Sequence, residues 1–340
     1  MSTMESDSIA PPSGGTWTCE RDPLRACLTE PVAADVDDLG VIAVEGPDAV
    51  AFLQAQLTND VAGLDARRVQ LNGYCSPKGR LYAVFYNWRD ADAVYLQLPR
   101  EILPAVMKRL SMFVLRSKAR LRDASVEWSC VGLVGPGSAA MLAELAPDTA
   151  DAGQTAVLAD GSRIARLPAS PQVGERFMLL QRRPGSNALA DAIAAARRGP
   201  GAVFWWTQID AAIPGVFAAT QERFVPQMIN LEVLGGVNFR KGCYPGQEVV
   251  ARSQYLGKLR RRMQVGHTDG ATRASADVFG AEGDEPIGTV VMAASAPQGG
   301  MDLLFECPAE RAAGSLHLGS SSGPTLATRP LPYALVDVTA

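Results

Sequence analysis

Histidine is nearly missing from this chain, with only His267 and His317 among 340 residues. Its six cysteines, Cys19, Cys27, Cys75, Cys130, Cys243 and Cys307, form no C-x-x-C pair and show no metal-ligand spacing. A zinc site or a standing iron–sulfur cluster needs clustered ligands, so no permanently bound metal is expected. Long apolar runs are lacking too, none approaching the roughly 20 residues that cross a bilayer. Residues 1–30 have neither the apolar stretch of a secretory signal nor the acid-free basic face of a mitochondrial presequence, because Glu5, Asp7, Glu20 and Asp22 interrupt them. The expectation is a soluble cytoplasmic protein with reduced thiols, no membrane partner, and a disordered tail over residues 1–32. Charge of one sign is scarce as well. A formal net charge of −4 gives no field that draws the whole molecule onto nucleic acid or an anionic membrane, so any anion site must be local.

What is present exceeds one ordinary core, because chains divide into domains of about 100–150 residues as they lengthen. Gly40 to Glu45 reads as a strand, and Ala49 to Leu57 as a helix with Asp48 as cap. Arg80 to Trp88 and Ala93 to Leu98 make a hairpin across the turn at 89–92. Glu101 to Leu115 carries helical spacing, with Pro104 acceptable in a first turn. The order repeats: a strand over Ser129 to Val134, a helix over Gly137 to Leu145, paired strands at Arg163 to Leu167 and Phe177 to Gln181, and a helix over Asn187 to Arg197 capped by Asn187. From Met263 the helical period gives way to short strands such as Ile287 to Met292, Asp302 to Cys307 and Leu331 to Val338. The fold class is α+β: two ferredoxin-like α+β modules, at 33–125 and 126–230, and a C-terminal β-barrel at 263–340.

The stretch from Phe224 to Met263 fits neither helix nor strand, because Gly235, Gly236, Gly242, Gly246 and Gly257 break any period. Its part at 231–262 is read as a separate cysteine loop and basic segment. Arg240 and Lys241 precede Gly242-Cys243, and cations beside a thiol favour its thiolate, the nucleophilic and metal-binding form. A buried, inert cysteine is the competing reading. Between 240 and 262 there are seven cations, Arg240, Lys241, Arg252, Lys258, Arg260, Arg261 and Arg262, against the one acid Glu248. They make either a solvated face or a site for a polyanion such as an oligoglutamate tail or an RNA backbone.

The run Lys241-Gly242-Cys243-Tyr244-Pro245-Gly246-Gln247-Glu248, with Ala251-Arg252 after it, resembles the K-G-C-Y-x-G-Q-E-x-x-A-R signature of the YgfZ family. The resemblance extends to 54–60, 76–80, 209–214 and 330–334 and covers the chain from about Asp37. It implies three domains in a ring around a folate-binding hole, as in the glycine-cleavage aminomethyltransferases. It also implies tetrahydrofolate or a one-carbon derivative as ligand, and a role assisting iron–sulfur enzymes or their assembly proteins, tRNA-modifying enzymes included. The aminomethyltransferases carry an aspartate pair after the G-x-x that is here Gly79-Arg80-Leu81, whereas this chain has Tyr82 and Ala83. The absent carboxylate argues against glycine-cleavage catalysis. The resemblance makes Asp210 the pterin-facing acid, with Phe204, Trp205 and Trp206 as candidate walls that are equally readable as core. Leu39 stands where relatives often carry tryptophan, and Lys241 and Arg252 are candidates for the tail carboxylates. Cys243 is then the functional thiol. The alternatives are a folate-dependent one-carbon transferase and a tRNA-binding module, in which any contact with tRNA is salt-sensitive.

Overall fold

One buried helix, Gly201–Asp210, packs against both a six-stranded sheet and a barrel in the computed structural model, which describes residues 14–255, 260–281 and 283–335. Nine of its ten residues are buried, as its sequence G-A-V-F-W-W-T-Q-I-D dictates: a helix apolar nearly all round has no solvent face. Gly132 on the neighbouring strand makes the close approach possible. A Cβ there would lie 2.3 Å from Phe204 Cδ2.

The first sheet is antiparallel in the order Gln70–Cys75, Leu81–Arg89, Ala93–Pro99, Leu39–Glu45, Arg120–Asp123. Helices Ala49–Gln54 and Leu103–Ser111 supply Phe52, Leu53, Val106 and Leu110 to a core shared with Ile42, Val44, Phe85 and Leu96. The second sheet runs Arg197–Pro200, Val32–Asp35, Trp128–Val134, Arg176–Arg182, Arg163–Arg166, Thr155–Val157. Its first pair is parallel. Helices Ser138–Leu142 and Ala188–Ala192 contribute Leu142 and Leu189 to the core on one face. The barrel closes on six strands, Pro286–Ser295, Asp277–Gly280, Leu316–Leu318, Thr325–Arg329, Arg261–Thr268 and Met301–Pro308, the last pairing back to the first. Closure leaves no free sheet edge.

Several expectations need correction. From residue 14 the supposed tail is folded: Thr16–Trp17 pairs in parallel with the barrel, Arg21–Ala26 is helical, and Trp17 is 3% exposed. Its ring stacks on Trp205 with centroids 4.3 Å apart, a burial that outweighs the polar look of the segment. Residues 1–13 lie outside the described residues. Val32–Asp35 belongs to the second sheet, although it precedes the first in sequence. Asp48 and Asn187 precede helices without capping them through their side chains, and Asp48 instead accepts Lys118 N at 2.7 Å. Leu331 to Val338 is not a strand over its described part. Pro330 and Pro332 have no N–H to give a ladder. Within 224–263, Gln247–Tyr255 is helical, launched from Gly246 at φ 81°.

Candidate functional site

Cys243 is the one exposed cysteine of the six. Cys27, Cys75, Cys130 and Cys307 are buried and Cys19 is half-buried. Burial pushes the Cys27, Cys130 and Cys307 thiols up to about 12 and Cys19 to about 11, where almost no thiolate exists at neutral pH. The loop that presents Cys243 is shaped by glycine. A Cβ on Gly246 would sit 2.3 Å from Ser76 O, so loop and Ser76–Gly79 turn meet backbone to backbone. Gly242, by contrast, has open space around it.

Lys241 anchors the other side. Its ammonium donates to Gln54 O and to Leu57 O at 2.7 Å, just after the helix Ala49–Gln54 begins to unwind, a favourable place for a cation. Burial pulls the Lys241 ammonium down to about 8, while Asp60 and Cys243 act in the opposite sense. The Tyr244 ring lies 4.9 Å from this ammonium, and its buried hydroxyl has no partner among the described residues. The Asn238 carboxamide fixes the approach, accepting Arg240 N and Lys241 N at 2.8 and 3.1 Å.

The second constellation gathers at the C-terminal end of the central helix. Asp210, 5% exposed, accepts Ser170 Oγ at 2.5 Å and Gln172 N at 2.9 Å on one oxygen, and Gln172 Nε2 at 2.6 Å on the other. Arg329 Nη1 stands 4.0 Å away and its Nη2 is 3.2 Å from Asp302. Arg176, fully enclosed, donates to Thr207 Oγ1 at 3.0 Å and to Gln208. Burial lowers its guanidinium to about 10, against the attraction of Tyr86 and Asp210. Trp206 Nε1 donates to Asp302 at 2.8 Å. Trp205 Nε1 and Trp17 Nε1 converge on Asp38 at 3.0 and 2.7 Å, and burial raises that carboxyl above its ordinary range.

Phe204, Trp205 and Trp206 are therefore core residues, the Trp205 indole bonding the half-buried Asp38 and the Trp206 indole the buried Asp302. Leu39 is half-buried beside the same core. Arg252 is exposed on Gln247–Tyr255, and the Lys241 ammonium is held by backbone carbonyls. The seven-cation segment is partly neutralised in space: Arg261 pairs with Glu306 and Arg262 with Glu232, while Lys258 lies outside the described residues. Tyr82 and Ala83 supply no carboxylate. Tyr82 instead lies under Arg109, 4.0 Å from guanidinium carbon to ring centroid. Residues that the sequence pattern did not single out are Ser170, Gln172, Arg176 and Arg329. They come from strand connections and strand ends, and only the neighbourhood of Arg329 to the 330–334 run gave a sequence signal. Among the described residues no group of three or more His, Cys, Asp and Glu stands in metal-ligating arrangement. No described helix is long and apolar enough to cross a membrane.

The family description GCVT N-terminal domain matches residues 18–161. The solved aminomethyltransferase T of the glycine cleavage system from Bartonella henselae superposes with a TM-score of 0.70 over 94% of this chain and 91% of its own, at 18% identity. That likeness establishes the aminomethyltransferase fold. The tRNA-modifying protein YgfZ of Edwardsiella ictaluri is 32% identical over 307 residues, 88% of this chain and 91% of that protein. This chain belongs to the YgfZ family. The YgfZ protein of Klebsiella pneumoniae (strain 342) is similar at 29% identity, over 89% of this chain and 93% of that protein. In this member of the YgfZ family the Cys243 thiol is exposed and the Asp210 network is buried.

Proposed function

We propose that this chain binds tetrahydrofolate or a one-carbon derivative and assists the assembly or repair of iron–sulfur enzymes, tRNA-modifying ones among them. The observation that carries the reading is the exposure of Cys243: of six thiols, four are buried, Cys19 is half-buried and Cys243 alone is exposed, on a glycine-shaped loop beside the Lys241 ammonium. Such a thiol can contact a metal, a cluster or a partner's sulfur, and the buried ones cannot.

The residues present fit a pterin. Asp210 offers a carboxylate to paired N–H donors. Among the described residues, Gln97 Oε1 and the indole nitrogens of Trp88 and Trp128 are buried without hydrogen-bond partners, as is Arg329 Nε. Gln97, Trp88 and Trp128 belong to the first and second sheets, and Arg329 to the barrel. Orphaned buried groups of both kinds favour a polar occupant, ligand or water. Bound folate supplies a one-carbon carrier, and the chain's own residues orient and enclose it. Arg252 is the candidate to meet a glutamate tail, and it is exposed on Gln247–Tyr255. The YgfZ relatives are named as tRNA-modifying proteins, which supports a tie to tRNA modification through a client enzyme.

The test is complementation. In cells lacking their own YgfZ protein, the wild-type chain should restore the products of cluster-dependent tRNA modification, and Cys243→Ala should not. Equal restoration by both removes the thiol from the account.

A further inference from the structure

We propose that the turn closing the helix Leu103–Ser111 is a docking surface for a protein partner that presents an apolar recess bordered by carboxylates. This names the client-facing surface of the preceding reading, and it rests on that reading for who the partner is. Seven large apolar residues are exposed among the described residues, and three of them fall within four positions: Met112 at 56%, Phe113 at 40% and Leu115 at 86%. Isolated exposed apolar residues are ordinary, but a contiguous group marks an interaction site.

The group is held out rigidly. Met112 N donates to Arg109 O at 3.2 Å, Phe113 N to Leu110 O at 3.0 Å, Val114 N to Ser111 O at 3.3 Å and Ser117 N to Val114 O at 2.8 Å. Val114 and Ala119 pack back onto the first-sheet core, and Asp48 clamps Lys118 N. Leu115 sits at φ 44°, a left-handed conformation that crowds its Cβ. That strain is retained with nothing packed on the side chain in return.

Charge identifies the occupant. From 108 to 120 the chain carries Lys108, Arg109, Arg116, Lys118 and Arg120 and no acid, and none of the five has an ion-pair partner among the described residues. Of the nearby acids, Glu45 pairs with Arg122, Asp48 accepts the Lys118 backbone N–H, and Glu222 faces Tyr82. An extended polyanion, whether bilayer or RNA, would meet the whole acidic molecule of net charge −4. A protein partner can place carboxylates only opposite the patch, within the Debye length of about 8 Å. Exposed Met and Phe ringed by Arg also match the composition of protein interfaces. The patch begins one turn beyond Arg109, which covers Tyr82 on the strand that follows the Ser76–Gly79 turn. That turn supports the Cys243 loop.

The experiment places a photo-crosslinking amino acid at Val126 or at Phe113 of the full chain in cells, and identifies what is captured from Phe113 alone. The captured protein, purified, is then titrated with wild type, Leu115→Ser and the double variant Arg116→Glu/Lys118→Glu. Both variants should bind at least tenfold more weakly, the loss in the charge variant shrinking as salt rises, with unchanged melting and unchanged tetrahydrofolate affinity. Capture of no protein from Phe113, or equal affinity of all three forms, overturns the proposal. So does binding to vesicles of 30% phosphatidylglycerol in phosphatidylcholine, or to bulk tRNA, that Leu115→Ser abolishes. If the wild-type chain fails to bind tetrahydrofolate while the purified partner still discriminates the variants, the folate reading falls and the docking surface stands.

Discussion

Gln172 grips Asp210 twice, donating its backbone N–H to one carboxylate oxygen at 2.9 Å and its side-chain amide to the other at 2.6 Å. A ligand that pairs with both oxygens must displace the side chain, whereas Ser170 and the Gln172 backbone stay in place. Gln172→Ala is therefore expected to bind tetrahydrofolate as tightly as wild type or up to about 100-fold tighter, the worth of one hydrogen bond to a charged group no longer exchanged. Fluorescence titration measures it. Binding ten times weaker would mean that Gln172 itself holds the ligand.

The thiols make a sharper prediction. With Cys27, Cys130 and Cys307 held near 12 by burial, brief iodoacetamide treatment of the native protein at pH 7.5 should place a single adduct on Cys243. Intact mass and peptide mapping check it. Early labelling of a buried cysteine would show an opening of the core that the packing does not allow.

Lys241 predicts a pH dependence. Its folded value of about 8 lies below the ordinary 10.5. Between the two the unfolded chain holds the proton and the folded one does not, so this residue's contribution to stability rises with pH across that window and is flat below it. Urea midpoints of wild type should gain on those of Lys241→Met from pH 8 to 10. A constant difference would mean that the ammonium stays charged on its two carbonyls.

Arg262 and Glu232 form an enclosed pair, their side chains 4% and 6% exposed, where the segment around Pro226–Ile229 meets the barrel. Arg262→Met should cost about 3–5 kcal/mol in urea unfolding, because Glu232 is left buried without its cation. Adding Glu232→Leu should recover most of that loss. A single-variant cost below about 1 kcal/mol would contradict the burial.

Local patterns made much of this architecture legible. The hairpin at 81–99, the paired strands at 163–182 and the signature cysteine announce themselves through alternation, turn residues and spacing. What escaped was set by distant partners. Nothing near Trp17 says that Trp205 waits for its ring, and nothing around Val32 to Asp35 says that this strand will pair with Trp128–Val134. The basic segment at 240–262 read as either a solvated face or a polyanion site because Glu232 and Glu306, which neutralise two of its arginines, are far away in sequence. Ser170 and Gln172 carry no pattern of their own and matter only because a strand connection passes over Asp210.

The central claim is that a folate pterin pairs with Asp210, and calorimetric titration of the purified chain with tetrahydrofolate, wild type beside Asp210→Asn, tests it most directly. The account predicts saturable, stoichiometric binding that the substitution weakens about 10- to 100-fold, the worth of hydrogen bonds to a charged group, with folding unchanged by circular dichroism. No binding by the wild type, or equal affinity in both, would contradict it.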